Sequence, residues 1–309
     1  MASAIGFRGY LITAHRRGDP ALIPVNSSDF RQSPDSFTTN FINRWSNVVT
    51  DDERERSWYF EERENGGAGD SKGFVHYGTF GFESNLVDNA TKMQNYRRQV
   101  SDVEEIPLFY EFWFPEGGRV GFVGFQSFQG RSCVTIVMER FKSEFEAANP
   151  DFLLRYQKLM PTDVRGGAYN RAPVKRLRLI KRGASPDVTD RYLGGNAPEK
   201  VDFEVSIKAR RNGSLGSFRD VSNSIGKNDR GVILHDGIEF NEAVADIKVG
   251  SKTRPVTVFG SDTFAGVIDI TDDIERGRDG HPTFDSLSNI SDDILSDFNE
   301  MIVGKSDEI

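Results

Sequence analysis

Cysteine is almost absent. Cys133 is the only one in 309 residues, which excludes an internal disulfide framework and fits a reducing compartment. Only four histidines accompany it, widely scattered, so the chain offers no ligand set for a structural zinc and no Ser-His-Asp constellation. Long apolar runs are missing too. Val134 to Met138 falls far short of the roughly 20 residues that a spanning helix needs. Met1 to Gly9 has no basic stretch leading into an apolar one, so it does not read as a secretion signal. These absences predict a soluble, cytoplasmic protein that needs no cofactor and no metal.

Apolar residues make up 37% of the chain, a modest share, but the 24 phenylalanines supply enough bulk for real cores. The net charge is −8, and it is unevenly spread. Residues 1–150 sum to −5, residues 151–230 to +8 and residues 231–309 to −11. A basic island therefore sits inside an acidic protein. Its densest part holds Arg171, Lys175, Arg176, Arg178, Lys181 and Arg182 with no acid among them, and Lys208, Arg210, Arg211 and Arg219 follow. Charge of one sign concentrated in this way sets up a local field that the whole-chain value hides.

Periodicity predicts an α+β fold of mostly antiparallel sheets with a few packed helices. Ile5 to Thr13 reads as an opening strand. Asp35 or Ser36 caps a helix carrying Phe37, Phe41, Trp45 and Val48. The acid-rich stretch from Asp51 to Asp70, ending in Gly66, Gly67 and Gly69, reads as a solvated loop or hairpin tip. Ile106 to Phe114 and Arg119 to Ser127 form a strand pair around the turn at Pro115 to Gly118. A helix from Ser132 to Ala148 follows, with Val134, Val137, Met138, Phe141 and Phe145 on one face. Asn149-Pro150 stops it and marks the expected boundary between an N-terminal α+β domain, 1–149, and a β-rich C-terminal domain, 150–309. Strands are expected at Val174 to Ile180, Val201 to Arg210, Ala243 to Val249 and Arg254 to Phe259. Arg211 to Ile225 reads as a loop, and a final helix covers Leu287 to Val303.

Several motifs have both a sharper and a plainer reading. Gly304-Lys305-Ser306 resembles the end of a phosphate-binding loop but lacks the upstream glycine, because position 299 is Asn, and it follows a helix. Arg276 and His281 have a helical ribonuclease spacing, yet Gly277, Gly280 and Pro282 make a turn of that segment. Cys133, opening an amphipathic helix, reads as a core thiol. Asp236, Asp246 and Lys248 fit a loose nuclease pattern in which two carboxylates hold Mg²⁺ and the lysine positions the attacking water. A solvated strand face gives the same alternation. For the basic island the plain reading is likewise a solvated strand. The sharper one is a phosphate-binding surface, since a strand places Arg176 and Arg178 on one face about 7 Å apart, near the spacing of successive DNA phosphates. Nothing in it encodes base readout.

Ile106-Pro107-Leu108-Phe109, taken with Gly121-Phe122-Val123-Gly124, resembles the middle of the RexA-type phage-exclusion DNA-binding proteins. The order continues with a helix, the Leu154 to Pro161 strand, the basic Val174 to Lys181 strand and the basic strand end Ser206 to Arg211, so the likeness spans about residues 100–215. It implies a homodimer that binds double-stranded DNA without strong sequence choice and signals to a membrane-protein partner in antiviral defence. The sequence thus leads to a non-enzymatic DNA-binding protein, with phosphates held by Arg171, Lys175, Arg176, Arg178, Lys181, Arg182, Lys208, Arg210, Arg211 and Arg219. The alternatives are a Mg²⁺-dependent nuclease and an acidic protein-interaction module.

Overall fold

The computed structural model describes residues 5–67, 69–159, 172–181, 201–210, 213–225, 233–235, 238–240, 242–249, 252–259 and 267–303. Among them the architecture is α+β, with antiparallel strands predominating and four helices. No helix among the described residues is long and apolar enough to cross a membrane. The chain divides into two compact units, each drawn from separate stretches of sequence.

The larger unit comprises Gly9–Gln157 and Ile274–Ser291. Its sheet runs in the order β1 (Ile5–Arg16), β9 (Gly121–Phe128), β8 (Glu104–Trp113), β5 (Asp70–Thr79), β4 (Arg56–Gly67) and β3 (Val49–Asp51), with β2 (Leu22–Ile23) and β10 (Phe152–Lys158) also paired to β1. Pairing from β3 through β9 is antiparallel throughout. Two helices supply its aromatic core, α1 (Pro34–Arg44) and α2 (Val134–Ala148). The ring of Phe141 on α2 lies 5.2 Å from Phe112 of the sheet, and 5.3 and 5.1 Å from Phe37 and Phe41 of α1. All four are buried, each worth roughly 1.5–3 kcal/mol in area removed from water. Gly121 is required by this packing, because a Cβ there would stand 2.3 Å from the Phe114 ring.

Asn149 is an anchor of the larger unit. Its side-chain oxygen accepts from the backbone N–H groups of Arg31 and Gln32, and its amide donates to the carbonyls of Gln32 and Phe145, so the end of α2 is tied to the segment that leads into α1.

Three local expectations change. Ser33 rather than Asp35 or Ser36 is the N-cap of α1, with Pro34 in the first turn, where a missing N–H does no harm; Val48 lies beyond the helix and is exposed. The Asp51–Asp70 stretch is largely strand. Trp58 and Phe60 are buried on β4 with half-buried Tyr59 between them, the charged run Glu61 to Glu64 continues the strand toward its exposed end, and the positive-φ glycines Gly67 and Gly69 mark the tip. The Arg211–Ile225 loop contains a short helix, α3 (Phe218–Ser224). Ser217 caps it by accepting from the Asp220 N–H, and Phe218 and Val221 are buried beneath it. The larger unit also carries a hairpin that periodicity did not reveal, β6 (Ser84–Val87) with β7 (Gln94–Arg98), forming a two-stranded sheet of its own.

The smaller unit comprises Met1–Arg8, Lys158–Asp273 and Asp292–Ile309. Its strands run in the order β12 (Phe203–Lys208), β11 (Val174–Lys181), β15 (Glu242–Val249), β16 (Lys252–Phe259) and β17 (Ile268–Asp269), with Gly6 and Phe7 of β1 paired to β17. A separate hairpin, β13 (Ile233–His235) with β14 (Ile238–Phe240), brings Phe240 within 6.1 Å of Phe203. Helix α4 (Phe284–Val303) buries Ile294, Leu295 and Phe298 from its second half.

Candidate nucleic-acid interface

The basic island is built on β11, the strand flanked on both sides by antiparallel neighbours, β12 and β15. Alternation sends Leu177 and Leu179 to a buried face and Arg176 and Arg178 to the other. The register against β15 shifts between Val174 and Arg176, leaving Lys175 as the extra residue of a bulge. Its ammonium is spent locally, donating to the Gly213 carbonyl at 2.8 Å.

Pairing decides what each arginine meets. Arg176 stands opposite Asp246 on β15 and opposite Lys208 on β12. Its Nε donates to Asp246 Oδ2 at 2.7 Å. Arg178, one pleat along on the same face, places a terminal nitrogen 3.6 Å from the other oxygen of that carboxylate. Asp246 is 8% exposed, so one buried carboxylate serves two guanidinium groups. This corrects the picture of a bare basic strand. Arg178 is largely withdrawn, whereas the Arg176 side chain keeps 42% of its surface in solvent.

The rest of the island differs residue by residue. Lys208 and Arg210 are exposed and Lys181 is half-buried, and no ion pair among the described residues engages any of the three. Arg219 sits on α3 beside Asp220, 3.7 Å away, with both side chains mostly in solvent. Arg171, Arg182 and Arg211 lie outside the described residues. The face is polarised along the strands: Arg176 and Lys208 face each other at one end, while Glu204 and Glu242 flank Ile180 at the other. The result is a basic corner made by Arg176, Lys208 and Arg210, rather than a trough running the length of the sheet.

The nuclease pattern loses its geometry at the same place. Asp246 points into two arginines and Asp236 lies outside the described residues. Lys248 is placed on β15 by its backbone alone. Among the described residues, no three His, Cys, Asp or Glu side chains are grouped to hold a metal ion. Arg276 and His281 lie in a turn closed by the Gly277 N–H to the His281 carbonyl and by a bridge from Arg276 to Pro282. Cys133 is fully buried, and burial pushes its thiol up to about 12, so it is no nucleophile. A groove of the larger unit, about 460 Å³, lies between the turn around Asp52 and helix α2. Four carboxylates line it, and Arg54 is held by Glu139 at 3.0 Å, a setting hostile to a phosphate.

What the sequence did not disclose was Asp246 as partner of the basic strand. Residues 70 positions apart meet only through strand pairing, and nothing local to either signals the register. No protein-family model matches the chain, and no curated protein matches it either.

Proposed function

We propose that the protein binds double-stranded DNA through its phosphates, without regard to base sequence. The observation that supports this reading is the basic corner. Arg176 and Lys208 are cross-strand partners on one face, Arg210 follows two residues on, and no acid among the described residues neutralises Lys208 or Arg210. Flexible cations displayed on a strand end reach phosphates well and carry no donor pattern for reading base edges. In line with its resemblance to RexA-type proteins, the chain would act as a cytoplasmic homodimer in phage exclusion, with a membrane-protein partner as effector.

Fluorescence anisotropy of a labelled duplex, titrated across a range of salt, tests the reading. Affinity should fall steeply with salt and be equal for unrelated sequences. The pair Lys208→Glu and Arg210→Glu should weaken binding more than tenfold and lower the salt slope by about two or more. Binding that ignores both substitutions rejects the assignment.

A further inference from the structure

Strand β3 ends the sheet of the larger unit. It has β4 on one side and, among the described residues, no strand on the other. Residues of an antiparallel pair turn their N–H and C=O groups alternately toward the partner strand and away from it, so β3 presents backbone donors and acceptors along its outer edge. The stretch Val48 to Asp51 carries no lysine or proline, the residues that commonly blunt such an edge, and Val48 is 64% exposed. The groove of about 460 Å³ lies here. Its lining takes in all three residues of β3 and, from α2, Ile136, Glu139, Arg140 and Ser143, which share one helix face at three- and four-residue spacing. Trp58, 2% exposed, adds an apolar floor. The size is that of a ligand cleft, roughly 300–1,000 Å³.

Four carboxylates meet two guanidinium groups in that lining, and both guanidinium groups are engaged. Arg54 donates to Glu139 at 3.0 Å and lies 3.8 Å from Asp51. Arg140 lies 3.4 Å from Glu144 and stands over the Trp45 ring at 4.7 Å. Asp52 and Glu53 are exposed, and no ion pair among the described residues engages either side chain. The turn that displays them is fixed. Asp51 accepts from the Arg54 N–H at 3.1 Å, and the Arg56 guanidinium donates to the carbonyls of Arg54 and Glu55 at 3.0 Å and to the Tyr77 hydroxyl at 2.9 Å. Acids held in place beforehand lose little freedom on meeting a cation. The open edge and the charge are separate observations, and they select the same occupant. The edge calls for an extended chain, and the carboxylates call for cations on it. An extended chain turns every second side chain to one face, about 7 Å apart, so lysine or arginine at alternate positions meets the acids.

We infer that this groove binds an extended segment of a partner protein that carries lysine or arginine at alternate positions, added to β3 as a further strand with its cations set toward Asp52 and Glu53. Backbone bonds to β3 supply the affinity, and the acids select the sequence. The site shares no residue with the basic corner and stands independently of DNA binding.

Fluorescence anisotropy of a labelled hexapeptide of alternating lysine and valine, titrated with the full chain, tests it. The peptide should bind with micromolar affinity, and a peptide of alternating glutamate and valine should not bind. Methylating every backbone nitrogen of the first peptide keeps its charge and removes its donors, and should weaken binding more than tenfold. Asp52→Lys combined with Glu53→Lys reverses two exposed side chains. Circular dichroism and melting temperature should match the parent while peptide affinity falls more than tenfold. Absence of binding, or binding that ignores the two substitutions, overturns the groove as the site. Equal binding of the methylated peptide overturns the strand addition. Self-association of the parent that the same two substitutions abolish in sedimentation velocity would put a second copy in the groove and overturn the peptide as its occupant.

Discussion

Arg176 and Asp246 face each other across β11 and β15, with Nε 2.7 Å from Oδ2, and the second oxygen of the same carboxylate is turned to Arg178. A DNA phosphate offers two oxygens to guanidinium groups in much the same way. Asp246 therefore occupies the position for which a phosphate would compete. Asp246→Asn keeps the shape and removes the charge. Duplex affinity at low salt should rise several-fold, and the slope of log affinity against log salt should steepen by about one. Two arginines lose their counter-charge, so the melting temperature should fall, by an amount equivalent to about 1 kcal/mol given that Arg176 is partly solvated. Anisotropy and thermal melts read the two effects separately. Weaker binding would show instead that Asp246 serves to hold the arginines in place.

The sequence made the elements legible where one period dominated. Helix α2 carries its five apolar residues at 3.6-residue spacing and forms as expected, and the basic strand alternates as expected, with Leu177 and Leu179 buried. Charge misled at β4. Its acids, Glu61, Glu62 and Glu64, follow the buried Trp58 and Phe60 toward the exposed end of the strand, so composition suggested a loop although Trp58 and Phe60 already alternate. α3 was hidden because its seven residues are rich in Ser and Asn, and its stability comes from the Ser217 cap and two buried side chains. Most consequential for the site was strand pairing. The basic charges of β11 are visible in the sequence, but whether they are free depends on which residue of β15 lies opposite.

The thiol of Cys133 makes a chemical clock for global opening. It is fully buried beside the aromatic core, and its thiolate is suppressed by burial. A disulfide reagent at pH 8 should label the native protein no faster than it unfolds, and should label one thiol per chain at once in denaturant. Cys133→Ser should cost about 1–3 kcal/mol by burying a hydroxyl in apolar surroundings, whereas Cys133→Ala should cost less. Rapid labelling of the native state would contradict the burial.

Asn149 makes four hydrogen bonds with one side chain, two as acceptor and two as donor. Its side chain is buried, so truncation strands backbone groups away from water. Asn149→Ala should destabilise the protein by about 2–4 kcal/mol in urea unfolding. Asn149→Asp should do no better, because it keeps the acceptors for Arg31 and Gln32 but sets a carboxylate oxygen against the carbonyls of Gln32 and Phe145. A substitution within about 0.5 kcal/mol of the parent would mean that the helix end is held by Phe145 and its neighbours alone.

Asp70 gives the fold a pH dependence of known sign. Burial raises its carboxyl above the usual aspartate value, against the opposing pull of the Phe114 N–H, which it accepts at 2.7 Å, and of Lys72. A group whose folded value is raised contributes its stability below the unfolded value and loses it as pH rises through the folded one. At neutral pH the charge on Asp70 therefore works against the fold. Asp70→Asn retains an oxygen for the Phe114 N–H and carries no charge to desolvate. Its melting temperature should exceed the parent's at pH 7, and the difference should shrink as pH falls below the carboxylate range, where both side chains are neutral. A lower melting temperature at pH 7 would show that the charge strengthens the bond to Phe114 by more than its burial costs.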